Sequence, residues 1–133
     1  MPRLDSTIRI SVPVGDEDVI LVCRRPAADE VSKFLNSRFT THRNKVKSNL
    51  YPARVAFVDS ILVDAENVTF VTASGEEKPL NAATVLTPDD ASHWSKVLGE
   101  AVSCWKDLIS MPWKSTVAMY FEEQQGGGEE QGN

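Results

Sequence analysis

The sequence predicts an α+β fold in which a small N-terminal antiparallel β-sheet packs against several α-helices. Two observations carry this expectation. Apolar residues alternate with period two from Thr7 to Val14, and after Pro26 the period becomes 3.6. A third observation sets the scale. With 133 residues, 41% hydrophobic and 25% charged, the chain has the composition of one globular domain. A domain of that size hides somewhat over ~60% of the surface its unfolded form exposes. One domain is therefore expected over 1–123, and the Gly, Gln, Glu and Asn of 124–133 are expected to form a disordered tail.

Each element has its own signal. Ile8, Ile10, Val12 and Val14 face one way from Thr7 to Val14, with Thr7, Arg9 and Ser11 opposite, as in a half-buried strand. Gly15-Asp16-Glu17-Asp18 supplies turn chemistry, and Val19 to Cys23 reads as a more deeply buried strand, so the pair predicts a hairpin. Pro13 cannot donate to a ladder, which puts the first strand at an edge. Pro26 then opens a helix with Asp29 and Glu30 in its first turn and Val31, Phe34, Leu35 and Phe39 on one face. Thr40 to Ser48 is polar and basic and reads as a connection. A longer helix is expected from about Asn49 to Asp64, with Pro52 in its first turn and Leu50, Ala53, Phe57, Val58, Ile61 and Leu62 as its stripe.

Val68 to Thr72 is β-branched and aromatic, and a turn at Ser74-Gly75 lets a short strand near Lys78 to Leu80 pair back. The strand near Val68 to Val71 is expected to pack, with the hairpin, on the helices. Thr87-Pro88-Asp89-Asp90 is a strong helix start, with Thr87 as N-cap, Pro88 at N1 and Asp90 at N3. Its apolar face is Trp94, Val97 and Leu98, and Gly99 is placed to stop it. A short amphipathic piece carries Val102, Trp105, Leu108 and Ile109. After Pro112 a last helix carries Trp113, Val117, Tyr120 and Phe121.

Charge is segregated along the chain. Between Glu30 and Asp59 lie Lys33, Arg38, Arg43, Lys45, Lys47 and Arg54 without one acid, although the net charge is −5. After Lys114 only acids follow, Glu122, Glu123, Glu129 and Glu130. The acidic total argues against nucleic acid as the main partner, while the basic run allows a local contact with an acidic one. The candidate partner-binding residues are Arg38, Arg43, Lys45, Lys47 and Arg54, with Lys45 and Lys47 expected to face solvent fully. A solvated helix face and loop is the plainer account of the same charges. Trp94, Trp105 and Trp113 are expected as core anchors, and Trp113, beside Met111 and Pro112, is the one expected to contact another protein.

Signals for chemistry are weak. His42 sits among Arg38, Arg43 and Lys45. Asp89 and His93 make at most half a metal site, so no metal and no cofactor is expected. Ser103-Cys104 has no nucleophile elbow, and Gly126-Gly127-Gly128 lacks the Lys-Ser or Lys-Thr of a phosphate loop. Cys23 and Cys104 both read as small buried hydrophobes in a reducing compartment. No N-terminal apolar region or membrane-spanning run is present, so a cytosolic protein is expected. Nothing in the pattern points to an enzyme.

Three segments resemble the small tail assembly chaperones of long-tailed bacteriophages and prophages. They are Glu30-Val31-Ser32-Lys33-Phe34-Leu35-Asn36-Ser37-Arg38-Phe39, Arg43-Asn44-Lys45-Val46, and Ala56-Phe57-Val58-Asp59-Ser60-Ile61-Leu62-Val63-Asp64. The similarity continues through Asn81 to Thr87 and Trp105 to Ile109. The resemblance implies a protein that binds the tape measure protein, keeps its long hydrophobic helices soluble and helps recruit tail tube subunits, without entering the mature particle. It also implies a longer form made by ribosomal frameshifting, and glycine and glutamate codons such as those of Gly126 to Glu130 can form the G- and A-rich run on which ribosomes slip; a solubilising tail accounts for the same residues. A monomer or small oligomer is expected. The alternatives are a structural tail component, such as a tube or terminator subunit, and a nucleic-acid-binding module using the basic segment 38–54.

Overall fold

The computed structural model describes the backbone of residues 6–132 and the side chains of residues 6–124. Its architecture is α+β. Strands β1 (Thr7–Val14) and β2 (Glu17–Arg24) form the expected hairpin, in register from Thr7 opposite Arg24 to Val14 opposite Glu17. Gly15 supplies the positive φ, 62°, that its two-residue turn requires. The three-stranded sheet runs β1-β2-β5, where β5 is Leu62–Glu66, so β1 lies at an edge and Pro13 is tolerated there.

Helix α1 (Ala28–Ser37) starts later than expected, with Pro26 just outside it. Glu30 decides the start. Its carboxylate reaches back to the Ala27 N–H at 3.0 Å and is itself held by Arg24 at 2.8 and 2.7 Å. The segment read as a connection is instead a second hairpin, β3 (Phe39–His42) and β4 (Lys45–Ser48), turned by Arg43 and Asn44 with φ of 51° and 64°. Two consecutive positive φ values make the primed two-residue turn. The first of them is carried by an arginine, which is why the turn is hard to read from sequence.

Helix α2 (Leu50–Ile61) is shorter than expected, because the chain passes directly into β5 at Leu62. Leu62 is buried on β5 yet also fits the apolar spacing of α2, so the stripe cannot mark the end; pairing of Cys23 with Leu62 across the sheet does. Strands β6 (Thr69–Val71) and β7 (Glu77–Pro79) form a two-stranded sheet of their own, with Phe70 in the core, and the third strand of the main sheet is β5. Helix α3 (Pro88–Leu98) has the expected Thr87 cap, whose Oγ1 accepts from the Asp90 N–H at 3.1 Å, and the expected stop at Gly99, φ 72°. A 3-10 turn at Trp105–Leu108 leads to α4 (Met111–Gly132). Of the expected tail, 124–132 falls on the end of α4, while Asn133 and the side chains beyond Gln124 lie outside the described residues.

The core fills the space between one face of the main sheet and α1, α2 and α4. Ile10 and Val12 of β1, Leu21 and Cys23 of β2, and Leu62 and Ala65 of β5 meet Phe34, Phe57, Val58, Ile61, Val117 and Phe121. Phe57 is at its centre, stacked on Phe34 at 4.3 Å between ring centroids and edge-on to Phe121 at 5.4 Å. Burial pushes the Cys23 thiol up to about 12, so it serves as a small apolar side chain. Helix α3 packs differently. It is pinned by polar bonds, Trp94 Nε1 to the Val71 carbonyl at 2.9 Å and the Ala73 N–H to Asp90 Oδ1 at 2.8 Å, while its expected apolar residues Val97 and Leu98 remain exposed. No helix among the described residues is long and apolar enough to cross a membrane.

Candidate functional site

The basic run divides into two parts. Arg38 at the end of α1 and Arg54 in α2 both turn toward Glu122 of α4: Arg38 Nη1 lies 2.8 Å from Oε2 and Arg54 Nε 2.7 Å from Oε1. Arg54 Nη1 also donates to Ser115 Oγ at 2.8 Å. The three charged side chains are only 26%, 13% and 12% exposed, so this half of the run is a structural clamp between helices. Arg43, Lys45 and Lys47 stand on the β3–β4 hairpin, exposed and with no ion pair among the described residues. The solvent-facing position expected of Lys45 and Lys47 is therefore observed, whereas Arg38 and Arg54 are largely occupied.

Trp113 is half-buried against the core, beside the exposed Met111 and Pro112. It lines neither of the clefts that meet there. The larger cleft, about 680 Å³, runs between α2, the end of α3 and the start of α4, and is walled by Val55, Leu98, Leu108, Met111 and Pro112. The smaller, about 360 Å³, shares Met111 and Pro112 and adds Tyr51, Arg54 and Met119. Together they form an apolar groove along α2 and α4 with exposed Tyr51, Leu98, Met111 and Met119 on its walls. Neither Tyr51 nor Met119 stands out in the sequence, because each lies off the apolar stripe that marks its helix.

Charge lies in the floor of the larger cleft. Lys114 is buried at 4% exposure and its Nζ is 2.7 Å from Asp59 Oδ1, while Lys106 Nζ donates to the Asp59 carbonyl at 3.0 Å. The buried Oδ1 thus has the Lys114 ammonium as its charge partner. Asp107 lines the same cleft. Burial raises it, but the N–H groups of Ser103 and Cys104 and the Ser103 hydroxyl outweigh that and hold its carboxyl below the usual range. These bonds also explain why Cys104 differs from expectation. It caps the 3-10 turn from an exposed position, and neither cysteine is paired.

Among the described residues no group of three or more His, Cys, Asp or Glu side chains is arranged to hold a metal ion. His93 instead sets its ring edge-on to Trp94 at 5.7 Å. Set against protein-family models, characterised proteins and solved structures, the chain matches none of them. The arrangement brings together an apolar groove with exposed methionines, the Lys114–Asp59 pair among its lining residues, and a cationic hairpin that leads into α2.

Proposed function

We propose that this chain is an assembly chaperone of long-tailed bacteriophages or prophages, which binds the tape measure protein, keeps its apolar helices soluble and helps recruit tail tube subunits. The observation that carries the reading is the Met-lined groove along α2 and α4. An amphipathic helix lays its apolar face into a groove of this kind, and methionine repacks readily around different partner side chains, which suits a client with many unlike helical segments. The cationic hairpin leads into α2, whose Tyr51 and Arg54 line the groove, so an acidic client is steered toward it. The work belongs to the host cytoplasm, before the particle matures, and needs no cofactor.

The test is co-expression with the tape measure protein of a long-tailed phage. The native chain is expected to raise soluble recovery of that protein and to co-purify with it, and the double change Met111→Glu and Met119→Glu to lose both effects. Undiminished co-purification of the double variant would refute the groove. Spontaneous assembly of the purified chain into tubes or large closed rings would favour a structural tail subunit instead.

A further inference from the structure

Among the described residues the β3–β4 hairpin joins no larger sheet, and both strands are exposed along their whole length. Its register places Phe39, Thr41, Val46 and Ser48 on one face and Thr40, His42, Lys45 and Lys47 on the other. The first face is neutral, with Phe39 54% and Val46 71% exposed; the second is cationic. An isolated two-stranded hairpin is marginal in water, so a hairpin left this bare is suited to pairing with something further.

The ladder shows where. The Asn49 N–H donates to the Arg38 carbonyl at 2.7 Å, which makes 38 and 49 a hydrogen-bonded pair. Antiparallel pairs alternate, so Thr40–Lys47 and His42–Lys45 are also bonded inward, and the N–H and C=O of Thr41 turn out from β3 while those of Val46 turn out from β4. Among the described residues neither Thr41 nor Val46 has a hydrogen bond outside the hairpin. The two open edges are not equivalent. Strand β4 carries Lys45 and Lys47, the residues that guard an edge against pairing, while β3 reads Phe-Thr-Thr-His and favours extended structure without a guarding charge.

We propose that the open edge of β3 receives an extended segment of a partner protein as an added antiparallel strand, and that this segment alternates apolar and acidic side chains. Alternation follows from the faces. Side chains beside Phe39 and Thr41 meet a neutral surface, and those beside Thr40 and His42 meet the cationic one, within reach of the long lysines across the hairpin. The residue directly opposite Thr41 shares its face and exchanges both main-chain bonds with it, so the apolar residues of the partner supply the bonding amides. This deepens the partner-binding reading above, and rests on it for the identity of the partner.

The probe is a capped peptide of four valine–glutamate repeats, titrated into the isotopically labelled full chain at low salt. Binding should shift the Thr41 amide and slow its hydrogen exchange, leave the Val46 amide unmoved, and weaken as salt is added. A valine–lysine peptide should not bind. N-methylation of the valine amides should weaken binding about tenfold or more, and N-methylation of the glutamate amides should not. On the protein side Thr41→Pro should lose the same factor, while Val46→Pro, an equal burden on the opposite edge, should keep binding.

The proposal is overturned by shifts at Val46 instead of Thr41, by equal binding of the lysine peptide, or by valine methylation without effect. Tighter binding of an oligothymidylate than of the peptide would overturn it in favour of a nucleic-acid contact. Because the peptide contains no tail-protein sequence, its failure is separable from failure of the co-expression test.

Discussion

Arg38 and Arg54 carry the same charge as Lys45 and Lys47 and flank them in the chain, yet the two pairs live in different surroundings. The arginines are drawn inward by Glu122, which lies on a helix far along the sequence, and Ser115 completes the clamp. The lysines stand on a hairpin whose two strands are exposed throughout among the described residues. The difference teaches that a run of like charge is sorted by tertiary partners. An arginine with a planar fork and a carboxylate within reach becomes structure, and a lysine on a bare strand stays available for a partner.

The contrast is sharpest in packing. Phe57→Ala should cost about 3–5 kcal/mol, since it empties the centre of the core between Phe34 and Phe121. Val46→Ala on the hairpin should change stability by less than about 0.5 kcal/mol. Urea denaturation of both variants checks the pair, and similar losses would mean that the hairpin belongs to the folded body. Next in size is Glu122→Ala. It strands two largely buried guanidinium groups, and about 2–3 kcal/mol should be lost, discounted from a fully buried pair because Arg38 keeps a quarter of its surface in water. A loss confined to a few tenths would show that the clamp is ornamental and that Arg38 and Arg54 are as free as the lysines.

Between these extremes stands Arg24–Glu30, whose side chains are 41% and 32% exposed. Arg24, with the Ala27 N–H second, holds the Glu30 carboxyl down to about 2 from its ordinary 4.5. A carboxylate depressed by folding contributes stability that is present above its unfolded pKa and lost as pH falls through its folded one. Stability should therefore decline from about pH 4.5 to about pH 2, and Glu30→Gln should flatten that limb. Some slope should remain, because Asp90, held chiefly by the Ala73 N–H, and Asp107 are also lowered. An acid limb unchanged by Glu30→Gln would show that the pair is solvated like the hairpin.

Local signals in the chain carried much of this fold. The alternation of Thr7 to Val14, the turn at Gly15 and the Thr87-Pro88-Asp89-Asp90 cap each act over a few residues, and each appears where the pattern predicts. What stayed hidden depends on distant partners or on a residue in an unusual role. The β3–β4 turn is carried by Arg43 and Asn44 where glycine would have announced it. The end of α2 depends on Leu62 finding Cys23 across the sheet, and exposure of Val97 and Leu98 on α3 depends on polar bonds that already hold that helix. Of the candidate contact residues, Lys45 and Lys47 were legible as exposed from their basic, apolar-poor surroundings. Arg54 was not distinguishable from them, because its partner Glu122 lies on another helix.

The smallest expected effect on stability bears most directly on function. Reversing Lys45 and Lys47 together to Glu changes two exposed side chains that make no ion pair among the described residues, so each change should shift stability by less than about 0.5 kcal/mol. Their share of the hairpin face is nonetheless its positive charge, which acts on an approaching segment before contact and is screened by salt. Association with the proposed client should therefore slow, and its dependence on salt should lessen, while dissociation from the groove changes little because Met111 and Met119 are untouched. Stopped-flow or surface-binding kinetics at low and high salt, together with a urea melt of the double variant, read both halves at once. An unaltered association rate across that salt range would remove the hairpin from the binding surface and leave the groove beside Trp113 to carry the interaction alone.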